Sequence, residues 1–118
     1  MYRYYNNNPN NRHIDDCVIR SISLLTDKTW NDLYDELSDL ANNDSLMFDS
    51  VEFVEDYLDD RFDRECHYSK TVGEFAKEYK YGKYAVTMDG HITAIINGVI
   101  YDTFDPSRRV MRCAWKIQ

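Results

Sequence analysis

An α+β fold is predicted by three features of this 118-residue sequence. Apolar residues recur at helical spacing through most of the chain before Tyr84. From Tyr84 onward the period changes to two, the signature of half-buried strands. The dipeptide Asn97-Gly98 then lies between two apolar, β-branched runs, which marks a β-hairpin. Helices first and an antiparallel sheet after them make one α+β domain over residues 1–118.

The elements follow in order. Residues 1–14 are rich in Asn and contain Pro9, and read as a surface loop or arm. Asp16 is placed as an N-cap, with Cys17 opening a helix to about Thr26 whose stripe is Val18, Ile22 and Leu25, widened by Ile19. A second helix starts at Thr29, with Trp30, Leu33, Tyr34, Leu37, Leu40 and Ala41 on one face, and Asn42–Ser45 as the loop after it. Asp49 and Glu52 have capping-box spacing, and Phe48 with Phe53 the spacing of a hydrophobic staple, so a third, strongly acidic helix runs to about Asp60. Its charge run reads as a solvated face. A short strand is placed within Phe62–Tyr68. Thr71 and Glu74 form another capping box before a fourth helix buried through Val72, Phe75, Ala76 and Tyr79, closed by Gly82. The mainly helical part is therefore 15–82 and the antiparallel sheet 83–118. Its strands are Tyr84–Met88, 91–96, 99–104 and Arg109–Trp115, with Asp89-Gly90 as a tight turn.

Composition narrows the function. At 43% hydrophobic and 14% aromatic residues the chain is globular. Its net charge of −7 argues against nucleic-acid backbones and anionic membranes as partners. No run is long enough to span a bilayer, and Met1–Asn6 carries no apolar signal segment, so a reducing cytoplasm is the expected compartment. The three cysteines, Cys17, Cys66 and Cys113, form no CxxC pair, so no metal site is expected, and no cofactor motif occurs.

The chemistry gathers on three residues. A two-residue Asn97-Gly98 turn pairs Ile96 with Val99, Ile95 with Ile100, Thr93 with Asp102, and His91 with Phe104. His91 and Asp102 then share a face as diagonal neighbours. A carboxylate that orients a histidine is half of a catalytic triad. Cys17 is the candidate nucleophile, because a helix N-terminus favours the thiolate. Its backbone N–H can donate to an oxyanion, joined by a side-chain amide from the Asn-rich loop. Asp15 and Asp16 put negative charge beside the thiol, so a working site needs their carboxylates in solvent or in caps. Cys66 and Cys113 follow no helix start and read as core residues. His13, close to Cys17 in sequence, stays open as the base; His67 has no such setting.

The order Cys17, His91, Asp102 resembles the order of nucleophile, base and orienting residue in papain-like cysteine peptidases. Asp16-Cys17 with Asn11 six residues before the cysteine is similar to the bacteriocin-leader peptidases of the C39 type. There a glutamine at that spacing supplies the oxyanion hole, which gives the role to Asn11, with Asn8 or Asn10 as substitutes. Asp102-Thr103-Phe104 resembles the Asn-Ser-Trp of papain. Asp16–Arg20, Thr29-Trp30, Gly90-His91 and Tyr101–Phe104 together look like small papain-like proteins of phages and bacteria. The resemblance spans most of the chain. It implies a papain-like core, in which the cysteine-bearing helix packs on an antiparallel sheet that carries the histidine. The Asp105-Pro106 step is a feature of C39-type enzymes, so Asp105 competes with Asp102; Asp102 has the matching parity.

The expected function is a thiol hydrolase or acyl transferase acting on a peptide, isopeptide or related amide of a protein or peptide substrate. No propeptide is visible before Cys17, so control is expected from elsewhere. If the chain is phage-encoded, the expected location is the host cytoplasm. The competing reading is a non-catalytic acidic module that covers a basic partner surface through the third helix. Oligomeric state is not legible.

Overall fold

A computed structural model describes residues 1–118. The elements are β1 (Tyr2–Tyr4), α1 (Cys17–Leu25), α2 (Trp30–Asn43), α3 (Val51–Asp59), β2 (Asp63–Cys66), α4 (Val72–Glu78), β3 (Lys83–Met88), β4 (His91–Ile96), β5 (Val99–Asp102) and β6 (Met111–Lys116). All six strands join one sheet in the order β1-β5-β4-β3-β6-β2.

The α+β class is as expected, but the sheet is mixed rather than antiparallel. The segment expected as an arm contributes β1, which runs parallel to β5 with Tyr2 opposite Ile100 and Tyr4 opposite Asp102. The physical reason is the free edge of β5, whose unpaired backbone groups need partners that the N-terminus supplies. β2, drawn from the helical part of the chain, closes the other edge against β6.

The central hairpins follow their turn chemistry. Asn97 and Gly98 both have positive φ, 50° and 77°, which the mirror-image two-residue turn requires. The register is Ile96 with Val99, Ile95 with Ile100 and Ala94 with Tyr101. Met88 pairs with His91 across the Asp89-Gly90 turn.

Helix ends are set by short polar side chains. Thr29 caps α2 through the Asp32 N–H. Thr71 and Glu74 form the expected reciprocal box on α4. The cap of α3 is a correction: Ser50, not Asp49, accepts from the Phe53 N–H. Both side chains suit a cap, and the shift of one residue places Phe53 and Val54 in the core. α2 also continues through Asn43, into the segment expected as a loop.

Alternation along the strands divides the apolar residues between two clusters. Ile92 and Ala94 of β4, Ala85 of β3 and Trp115 of β6 pack with α1, α2 and α3 around Ile19, Ile22, Leu33, Leu37 and Leu58. Ile95, Ile100, Val86 and Met111 pack with Val72 and Phe75 of α4. Burial of such side chains stabilises by about 1.5–3 kcal/mol each. α1 lies on β4 and β3, so the first residue of α1 and the first residue of β4 are held in one rigid unit.

A second correction concerns the cysteines. Cys66 and Cys113 are not free core thiols; they face each other in the β2–β6 register with their Cα atoms 3.9 Å apart and form a disulfide. Forty-seven residues separate them, so only the sheet register shows the pairing. The bond sits uneasily with a reducing cytoplasm, where disulfides are rare. It also leaves Cys17 as the one free thiol of an odd set. Reduction, or the double change Cys66→Ala/Cys113→Ala, is expected to lower the unfolding free energy by about 3 kcal/mol, because closing so long a loop restricts the unfolded chain. Urea unfolding with and without reductant measures this; coincident curves would mean the bond does not form in solution.

Candidate active site

Cys17 is the first residue of α1 and is half-buried. The first N–H groups of a helix have no intrahelical acceptor, so the Cys17 N–H is free to donate outward. Asp16 holds the N-cap position but does not cap the helix with its side chain. Its carboxylate is turned the other way. Oδ1 accepts from Arg20 Nε at 2.7 Å, and Oδ2 accepts from Trp30 Nε1 at 2.9 Å and from Asn8 Nδ2 at 3.4 Å. The negative charge beside the thiol is thus matched by a buried guanidinium. Asp15 is exposed to solvent.

His91 opens β4 just after the Asp89-Gly90 turn. Its Nε2 is 2.7 Å from Oδ2 of Asp102. That bond leaves Nδ1 free, and Cys17 lines the same two cavities as the imidazole. Burial opposes a charged imidazole here. The hydrogen bond to Asp102, the neighbouring Cys17 and the charges of both outweigh it and push the His91 pKa up to about 9. The Phe104 ring lies 4.7 Å from the imidazole, centre to centre, and covers it.

Asp102 ends β5 and is 1% exposed. Burial alone would raise its pKa. The hydrogen bond and charge of His91, with the Thr103 N–H, hold it below the ordinary carboxylate value instead. Oδ1 accepts from the Thr103 N–H at 2.7 Å and from Arg20 Nη1 at 3.2 Å. The backbone at Asp102 is fixed from the N-terminus: its carbonyl accepts from the Tyr5 N–H at 2.8 Å and from the Tyr2 hydroxyl at 3.1 Å. So the strand that sequence reasoning missed positions one of the three candidate residues. Asp105 is exposed, and its carboxylate accepts from the Ser107 N–H.

Arg20 is the polar residue of the site that sequence reasoning passed over. It is 6% exposed and joins Asp16 to Asp102, so it ties the start of α1 to the end of β5. Burial alone would lower its pKa; the two carboxylates raise it. Two signals were present in the sequence. Asp16 and Arg20 stand at i,i+4, and Arg20 is the only charge in an otherwise apolar helix.

Of the other candidates, His13 alone lines one of the two cavities at Cys17. Asn11 is exposed at the end of the turn that starts at Asn8, and it lines neither cavity beside Cys17. Its assignment to the oxyanion rests on spacing alone. Asn8 is buried and already engaged: its Oδ1 accepts from the N–H groups of Asn10 and Arg12. His13 is exposed near the Tyr4 hydroxyl. His67 sits against Glu65 and Tyr79, outside both cavities.

Two cavities meet at the thiol. One, of about 150 Å³, is lined by Cys17, Val18, Val54, Met88, His91 and Ile92 among others. The other, of about 530 Å³, includes Cys17, His91, His13, Ile14 and Phe104. Cys17 and His91 belong to both linings, so the reactive atoms stand where the cavities join. No three His, Cys, Asp or Glu side chains are grouped as metal ligands.

Family models, curated proteins and solved structures were compared with the chain. None matches. The chemistry of the site is therefore read from its own geometry. A thiol, an imidazole and a buried carboxylate in series can deprotonate sulfur, attack a carbonyl carbon and protonate a leaving amine. No helix is long and apolar enough to cross a membrane.

Proposed function

We propose that this protein is a papain-like thiol hydrolase that cleaves an amide bond in a peptide or protein. The observation that carries the reading is the His91–Asp102 pair beside the one free thiol, where two cavities join, with the carboxylate buried and braced by Arg20. A binding module has no need of a buried carboxylate aligned on a histidine beside the only free thiol.

With the proton already on His91, the sulfur of Cys17 attacks the carbonyl carbon. A C–S bond forms, and the carbonyl electron pair moves to oxygen, where the Cys17 N–H donates to it. The intermediate collapses, the C–N bond breaks, and His91 passes its proton to the departing amine. A thioester remains. His91 then deprotonates a water, which adds to the thioester; the C–S bond breaks and the carboxylic product leaves. Asp102 keeps the imidazole oriented and stabilises its charged form through both halves. An amine in place of water would give acyl transfer by the same steps. Asn11 remains the proposed second donor to the oxyanion.

The test is an equimolar library of synthetic peptides, digested and read by mass spectrometry. Wild-type protein is expected to create new peptide termini, and Cys17→Ala to create none while unfolding at the same temperature. Equal digestion by both proteins, or none by folded wild type, would overturn the proposal. The acidic-module reading would then lead, tested through salt and charge reversal on α3.

A further inference from the structure

Resting on that hydrolase reading, we infer that the preferred substrate carries a lysine or arginine beside the bond to be cut, with its side chain in the smaller cavity. The starting point is the cavity and its place. At about 150 Å³ it matches a void that holds one benzene-sized group, so it takes a single side chain. Cys17 and His91 line it, so that side chain belongs to a residue next to the scissile carbonyl. The larger cavity, which adjoins at the same two residues, takes the chain that continues past the bond.

The lining gives the chemistry of the side chain. Val18, Val54, Met88 and Ile92 supply apolar wall, all of them buried. Asp49, Glu55 and Asp89 stand on the same lining. A long aliphatic stem ending in a cation satisfies both parts, as lysine and arginine do.

Two of the three charges are not already spent. Asp49 and Asp89 are exposed and make no ion pair. Glu55 is 3.5 Å from Arg64, but Arg64 is held at 2.7 and 3.0 Å by Asp59. Arg112, also on the lining, supplies one positive charge against three carboxylates. A neutral apolar side chain would fill the wall and leave the carboxylates unused. An acidic one would meet them.

The peptide library distinguishes the layers of the argument. Cleavage sites with lysine or arginine adjacent are expected about fivefold above their frequency in the library, the ratio that partly exposed ion pairs give. The double variant Asp49→Asn/Asp89→Asn is expected to bring that ratio below about twofold, the loss falling on sites next to lysine or arginine. Both side chains are exposed and unpaired, so the fold is not at stake. Because the whole chain is acidic, Asp35→Asn/Asp39→Asn on α2 is the control and is expected to keep the ratio. Cys17-dependent cleavage with no basic enrichment would overturn the inference and leave the hydrolase standing. Equal loss of enrichment in the control would overturn it too, assigning the preference to overall charge. No Cys17-dependent cleavage would remove the hydrolase and the inference together.

Discussion

Replacing His91 with alanine is expected to slow alkylation of Cys17 about tenfold near about pH 6. A free thiol has a pKa of about 8.5, so well under about 1% is thiolate at that pH. An imidazolium partner favours the thiolate, a gain of a few hundredfold at most. The less basic thiolate is also a weaker nucleophile, which reduces the gain to about tenfold. The sign of the pH dependence follows from the raised pKa of His91. Its charged form is complete below the ordinary value near about 6.5 and is lost as pH rises through about 9. Wild-type reactivity should therefore stay nearly level across neutral pH, and any stability linked to the His91 charge should fade toward about 9. The His91→Ala variant should instead climb about tenfold per pH unit, meet the wild type at about pH 7 and exceed it above that, because its more basic thiolate is the stronger nucleophile. Iodoacetamide labelling followed by mass spectrometry of the Cys17 peptide gives both profiles. Superimposable profiles would show that the thiol and imidazole do not form a pair.

Arg20→Leu is expected to destabilise the fold by about 3–5 kcal/mol, the cost of breaking a buried ion pair from one side. The guanidinium is almost fully enclosed and bonds two carboxylates, Asp16 and Asp102, that are as deeply buried as itself. Leucine replaces its volume but leaves both negative charges in the interior. Asp102 keeps His91 and the Thr103 N–H, and Asp16 keeps Trp30, so the loss is partial. The pH dependence has a definite direction. In the wild type, Asp102 has a lowered pKa, so its contribution is present above the ordinary carboxylate value and is lost as pH falls through the lowered one. The gap between wild type and variant should therefore narrow below about pH 4. Urea unfolding at neutral and acid pH measures it; a gap independent of pH would mean that packing, not charge, was lost. Residual folded variant should also show slower alkylation at Cys17, because Arg20 positions Asp102 and through it His91.

The acidic face of α3 is where the competing binding reading would act. Part of that charge is engaged within the chain. Asp59 and Glu55 bond Arg64, and Asp59 also accepts from Trp115 Nε1 at 2.9 Å. Glu52, Asp56 and Asp60 remain exposed. Those three are a solvated face on a helix whose other side is buried through Phe53, Val54, Tyr57 and Leu58.

Local signals in the sequence determined much of the framework. Asn97-Gly98 set a turn of two residues, and the alternation of a strand carried the register as far as Ala94 opposite Tyr101; the expected strand to Phe104 stops at Asp102, so His91 and Phe104 are not a ladder pair. The proximity of His91 and Asp102 was legible from spacing alone. Periodicity located all four helices, and Thr71 with Glu74 fixed the start of α4, because a cap acts over three residues of chain. Where two neighbours could serve, as Asp49 and Ser50, the sequence was ambiguous, and packing of Phe53 and Val54 decided. Other features depended on residues far apart in the chain, which leave no local trace. β1 is too short to show a period, and only the vacant edge of β5 makes it a strand. Cys66 and Cys113 meet only because β2 and β6 are in register. Arg20 stands off the Val18–Ile22–Leu25 stripe, and its tie to Asp102 exists only because the end of β5 comes to it. The sequence by itself determined the elements and the candidate nucleophile, base and carboxylate, because turns, caps and periodicity act between near neighbours. Tertiary structure alone decided how the charges around them are balanced, because a buried charge is set by whatever the fold places beside it.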